Sequence, residues 1–196
     1  MLLSTIQKRV LVGTLLGDGH LERDGTYVRL KVDHGPVQRA YVWWKYEVFR
    51  NLTSRAPRLV RVLDPRTERV YQHWRFATVT MPELEPYYAL FYKERKKVIP
   101  ASIGQMLVSP QALAVWYMDD GARRTDCRAL RLHTNCYSLQ EQEILQGVLE
   151  HNFDVRVRVH RCGEGKYVLY IPAGEAQSFS DLVRPFVLAP LRGKLL

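Results

Sequence analysis

A chain of 196 residues with 46% hydrophobic content can bury a core in one domain or in two small fused ones, and its formal net charge of +9 favours a polyanionic partner. Its three cysteines, Cys127, Cys136 and Cys162, cannot all pair within one chain and include no C-x-x-C, which excludes a disulfide framework and fits a reducing compartment. No stretch approaches the ~20 apolar residues of a membrane span and the N-terminus lacks a targeting segment, so the chain reads as intracellular and soluble, with bacterial cytoplasm, archaeal cell and organelle all open.

Ile6 to Leu16 reads as a largely apolar helix capped by Ser4 or Thr5, stopping at Gly17-Asp18-Gly19. Tyr27 to Asp33 alternates, with Val28, Leu30 and Val32 on one face and Arg29, Lys31 and Asp33 on the other, the period of a half-buried strand. Gly35-Pro36 opens a helix to Leu52 whose core stripe is Tyr41, Trp44, Val48 and Leu52. Leu59 to Leu63 and Val70 to Thr78 form a hairpin around Asp64-Pro65-Arg66-Thr67, with Trp74 and Phe76 on one face and Tyr71, His73 and Arg75 on the other. A helix over Pro82 to Lys93 closes the unit.

The order then repeats. Ser109-Pro110 opens a second apolar helix, Gln111 to Met118, stopping at Asp119-Asp120-Gly121, and Arg128 to Thr134 reads as a strand. Ser138-Leu139-Gln140-Glu141 is a capping box for a helix to His151. Val155 to His160 alternates Val with Arg and His and pairs across Cys162-Gly163-Glu164-Gly165 with Lys166 to Ile171, before a last helix from Glu175 to Val183. The expected fold class is α+β, two copies of one motif about 100 residues apart.

Leu11-Val12-Gly13-Thr14-Leu15-Leu16-Gly17-Asp18-Gly19 and Leu113-Ala114-Val115-Trp116-Tyr117-Met118-Asp119-Asp120-Gly121 share Leu, Asp and the final Gly at the same places. A carboxylate at a helix C-terminus opposes the macrodipole, and small Gly13, Gly17 and Ala114 would let the two helices approach, bringing Asp18 and Asp120 together. A hard divalent cation with oxygen ligands offsets that repulsion. Plain glycine C-capping is the alternative.

This pair of motifs resembles the signature of the LAGLIDADG homing endonucleases, in the branch that carries both motifs in one chain. Lys96-Lys97-Val98-Ile99-Pro100, the block from Ser109 to Gly121, and Pro190-Leu191-Arg192-Gly193-Lys194-Leu195 are similar to blocks of the same branch, so the resemblance covers nearly the whole chain. It implies two pseudo-symmetric αββαββα repeats, residues 1–100 and 101–196, packed as one unit through the motif helices, with antiparallel sheets forming a DNA-binding saddle. The implied activity is sequence-specific cleavage of both strands of a duplex target across the minor groove, leaving short 3′ overhangs. The implied cofactor is Mg²⁺, with Mn²⁺ as a substitute and Ca²⁺ binding without supporting cleavage. An intron RNA-splicing maturase, with host intron RNA as partner, and a DNA-binding protein that does not cut are the alternatives on the same scaffold. No membrane partner is expected, and two motifs in one chain point to a monomer.

The site residues follow. Asp18 and Asp120, with the adjoining Gly17 and Asp119, are the expected metal ligands, and the resemblance carries Lys97 and Lys194 in as basic groups beside the reacting phosphate. DNA contacts are expected from the charged strand faces: Arg29, Lys31, Asp33, His73 and Arg75 in the first repeat, and Arg131, His133, Arg156, Arg158, His160 and Lys166 in the second. His34 stands where the family carries a polar residue such as Gln and joins that set. A zinc site from His133, Cys136, His160 and Cys162 has no standard ligand spacing.

Overall fold

The computed structural model describes residues 2–196. In chain order it forms α1 (Thr5–Leu16), β1 (His20–Asp24), β2 (Tyr27–His34), α2 (Arg39–Phe49), β3 (Arg58–Asp64), β4 (Arg69–Ala77) and α3 (Glu85–Phe91). A small hairpin of β5 (Tyr92–Lys93) and β6 (Lys96–Lys97) and a short α4 (Ile103–Met106) follow. Then come α5 (Pro110–Asp120), β7 (Gly121–Arg123), β8 (Leu130–Leu132), α6 (Leu139–Phe153), β9 (Arg158–Gly163), β10 (Lys166–Ile171) and α7 (Ala173–Val183). The order αββαββα thus occurs twice, in an α+β fold. Among the described residues no helix is long and apolar enough to cross a membrane. Two compact units result, one holding the chain up to Lys8 with Asp18–Tyr88, the other Arg9–Gly17 with Ala89–Leu196.

In the first unit the strands form an antiparallel sheet in the order β1-β2-β4-β3. The alternation of β2 buries Val28, Leu30 and Val32, and Phe76 of β4 joins them. The register pairs Asp33 with Arg75 and Lys31 with Ala77, so the charged side chains share the opposite face. Ser4 is the cap of α1: its Oγ accepts the Gln7 N–H, and the Gln7 side chain accepts the Ser4 N–H. The strand β1 has no counterpart in the sequence reading, because Leu21 is its only buried residue and the rest of HLERD gives no alternation to detect.

The helix read over Pro82 to Lys93 ends earlier, at Phe91. Glu94 and Arg95 take left-handed φ angles of 48° and 66° in succession. Two consecutive positive φ values make the tight turn of a two-residue hairpin, which reverses the chain and delivers Lys97.

In the second unit the sheet order is β7-β8-β10-β9. Every residue of α5 from Ala112 to Asp119 is buried, as a helix apolar all round requires. The capping box of α6 forms as read, Ser138 and Glu141 each accepting the other's backbone N–H. The strand read over Val155 to His160 starts instead at Arg158. Asp154 is a left-handed C-cap, the Val155 N–H closes back on Leu149 O, and the Gln146 and Glu175 side chains take Val157 O and the Arg156 N–H. With those backbone groups satisfied, residues 154–157 have little left for a ladder.

Candidate active site

The two motif helices meet within the second unit, which holds residues 11–17 of the first motif and all of the second, while Asp18 and Gly19 belong to the first unit. A Cβ placed on Gly13 would lie 2.3 Å from Ala112 O and 2.7 Å from Val115 Cβ, and one on Gly17 would lie 2.4 Å from Asp119 Cβ. The two motif helices therefore touch backbone to backbone, a distance that only glycine permits. The Asp119 carboxylate is buried against Gly17, whereas Asp120 is half-buried and closes α5.

Each motif helix carries a lysine on its last carbonyls. Lys97 Nζ donates to Gly17 O at 2.6 Å, and Lys194 Nζ donates to Met118 O at 2.7 Å and Asp119 O at 3.2 Å. An ammonium at a helix C-terminus is favoured by the dipole and satisfies carbonyls that have no partner within the helix. Both lysines thereby stand one residue from the acid that follows, Asp18 or Asp120.

Two buried tyrosines fix this frame. Tyr137 donates to Leu16 O at 2.9 Å and Tyr117 donates to Lys194 O at 2.6 Å. Burial pushes both phenols well above their usual range, so they remain donors. Neither is a candidate in the sequence, since each reaches a carbonyl far along the chain.

Carboxylate and carbonyl oxygens at the negative end of a helix are the kind of donor that a hard divalent cation takes. The Asp18 carboxylate is about half exposed and lies 3.5 Å from His34 Nδ1. His34 itself is not on the charged sheet face. It is the last residue of β2 and lies with Val28, Leu30 and Val32 on the buried face, apart from the charged side chains of Arg29, Lys31 and Asp33.

On the first unit's open face Asp33 accepts His73 Nδ1 at 2.8 Å and Arg75 Nε at 2.7 Å, so this acid organises the two bases beside it. Arg29 pairs with Glu22 and Asp24, and Lys31 lies 3.6 Å from Glu22. Arg55 and Arg58 border a groove with Arg29, Lys31 and Arg75; lying in a loop and at a strand end, they carry no alternation that marks them in the sequence.

On the second unit's sheet Arg131, Tyr170 and Arg158 are register partners on one face, with His160 and Lys166 continuing it. Arg123, Arg124 and His133 line a groove beside Arg131. Burial, then Arg131 and Lys194, hold the His133 imidazole below its usual value. Arg156 falls outside β9, with its guanidinium 4.0 Å from Glu150 and its backbone on Glu175, so it stands among helix residues and not on the strand face.

His160 stacks on Tyr170 with centroids 4.4 Å apart, and burial followed by Arg131, Arg158 and Arg124 lowers its pKa. A histidine with a folded value below the unfolded one, near ~6.5, contributes full stability above that pH and loses it as pH falls to the folded value. In an NMR titration the free protein's His160 is expected to titrate below ~6.5 and to move upward when duplex DNA supplies phosphates. An unchanged midpoint with DNA bound would remove His160 from the interface.

The profile of the LAGLIDADG DNA endonuclease family matches residues 8–179. DNA endonuclease I-ChuI of Chlamydomonas applanata is 29% identical over an alignment covering 100% of this chain and 96% of that protein. The homing endonuclease I-WcaI bound to its DNA recognition sequence superposes with a TM-score of 0.90 at 26% identity, covering 100% of this chain and 88% of that one. I-DmoI in complex with DNA and Ca shares the fold at a TM-score of 0.53 and 16% identity, over 90% of this chain and 87% of that one. Two acid-tipped helices in glycine contact, two repeats of one α+β unit and a family profile spanning both place this chain in the LAGLIDADG DNA endonuclease family.

Proposed function

We propose that this chain is a sequence-specific DNA endonuclease that hydrolyses both strands of its target with divalent metal ions and leaves short 3′ overhangs. The observation that carries this reading is the matched chemistry of the two helix ends, where a lysine ammonium sits on the carbonyls just before each acid. Asp18 and Asp120 would hold the ions, with the Gly17 and Asp119 carbonyls as further oxygens. Mg²⁺ is the proposed ion, Mn²⁺ its substitute, and Ca²⁺ an ion that binds without supporting cleavage. A divalent ion bound there supplies a lowered water pKa and charge neutralisation at the leaving oxygen.

The chain's own residues do the rest. Lys97 and Lys194 donate to phosphate oxygens as negative charge builds, and Tyr137 and Tyr117 keep those donors and the Leu16 turn in place. The cations of the two sheet faces grip the backbone and meet base edges in the major groove, while the minor groove is only about 6 Å wide between the two strands that Asp18 and Asp120 would serve. Both motifs lying in one chain, the working form is a monomer.

Incubation of a randomised-site duplex library with Mg²⁺ tests the reading, the expected result being a common site with short 3′ overhangs at the sequenced ends. Binding of a defined DNA or RNA without cutting in Mg²⁺ or Mn²⁺ would instead support a binding protein or splicing maturase on this scaffold.

A further inference from the structure

Lys45 faces inward from α2 and is fully buried, where a charge has to be matched. Its ammonium lies 4.4 Å from the centre of the Tyr41 ring and 3.5 Å from His34 Nε2. His34 is buried too, its ring 5.2 Å from that of Tyr41, and its other nitrogen, Nδ1, is 3.5 Å from Asp18 Oδ2. All four residues belong to the first unit.

An ammonium has three donors and no acceptor, so the His34 nitrogen that faces it must offer a lone pair. In the neutral ring the proton then sits on Nδ1, directed at Asp18. We propose that Lys45 fixes His34 as the Nδ1–H tautomer, which makes His34 a positioning residue that orients the Asp18 carboxylate and not a metal ligand.

Just after β8, buried Thr134 donates to Gln142 Oε1 at 2.7 Å, and Gln142 Nε2 returns a bond to Thr134 O at 2.6 Å. In the second unit a neutral pair thus joins the strand end to the following helix. Asp18 has the His34–Lys45 pair at its side, so damage to that pair is expected to fall on the strand that Asp18 serves more than on the other.

The cleavage arm rests on the endonuclease reading, whereas the tautomer is read without DNA or metal, so the two can fail separately. In metal-free protein a long-range ¹H–¹⁵N spectrum is expected to give His34 an unprotonated Nε2 and a protonated Nδ1, with Lys45→Met shifting that balance. An Nε2–H tautomer in the wild-type protein, or a spectrum unmoved by Lys45→Met, overturns the proposal; should Lys45→Met not fold, the wild-type spectrum still decides. On a plasmid carrying the site, His34→Leu is expected to slow one strand at least ~10-fold more than the other and so accumulate nicks, while His34→Gln, which keeps a donor, restores linear product. Equal slowing of both strands by His34→Leu, or no rescue by Gln, counts against it.

Discussion

Asp18→Asn and Asp120→Asn are each expected to lower double-strand cleavage in Mg²⁺ by about 10³-fold or more, the scale on which loss of one group that stabilises developing charge acts. The same substitutions should leave duplex binding nearly intact, because the cations of the sheet faces are untouched. A second readout separates a ligand from a structural cap. Each acid sits at the negative end of a helix with a lysine ammonium on the adjoining carbonyls, so in metal-free protein the relief of the dipole repulsion and the loss of attraction to the lysine oppose each other and the melting temperature should change little. Added Mg²⁺ or Ca²⁺ should then stabilise the wild type by mass action and the variants less. A variant that melts well below wild type without metal, or that still cuts both strands, would show that the acid serves the fold and not the chemistry.

Activity lost with stability kept is the usual mark of a site where local preference has been overridden for function. The lysines sharpen this. Lys97 and Lys194 sit where a helix end prefers a cation, on Gly17 O and on Met118 O and Asp119 O, so they meet a structural preference and stand beside the acids at once.

What the sequence could disclose follows the range of the interactions involved. The motif helices, the Ser138 capping box, β2 and β10 are written in local periodicity, and their boundaries match the structure to within a few residues. Segments whose backbone is satisfied by distant side chains imitate strands: Val155 and Val157 alternate with arginine, yet Gln146 donates to the Val157 carbonyl and Glu175 accepts the Arg156 N–H. β1 escaped because a five-residue strand with one buried side chain has no period. At the site, the acids were legible because the motif occurs twice. Lys97 and Lys194 came from resemblance, since nothing local distinguishes a lysine after a hairpin or near a chain end. Tyr137, Tyr117 and Lys45 were invisible, as their partners lie across the fold; the Tyr137 bond to Leu16 spans 121 positions.

The glycines of the first motif give the other large expected effect. Ala is the better helix former, so an exposed Gly→Ala change inside a helix gains about 0.5–1 kcal/mol. Gly147, in α6 with no atom near its missing Cβ, is the control and should follow that rule. Gly13→Ala should do the reverse, because the new methyl would meet Ala112 O at 2.3 Å and Val115 Cβ at 2.7 Å, and a backbone oxygen cannot rotate away as a flexible side chain can. The helices would have to part, at about 3 kcal/mol for an overpacked contact. For a chain of this size that lowers the melting temperature by about 6–12 °C. Cleavage should fall as well, since the displaced α1 end carries the Gly17 carbonyl that Lys97 holds. Opposite signs for Gly13→Ala and Gly147→Ala in thermal melts would tie the close helix crossing to the first motif. Stabilisation by both would mean that the motif's small residues reflect helix composition alone and that the acids are brought to the site by some other contact.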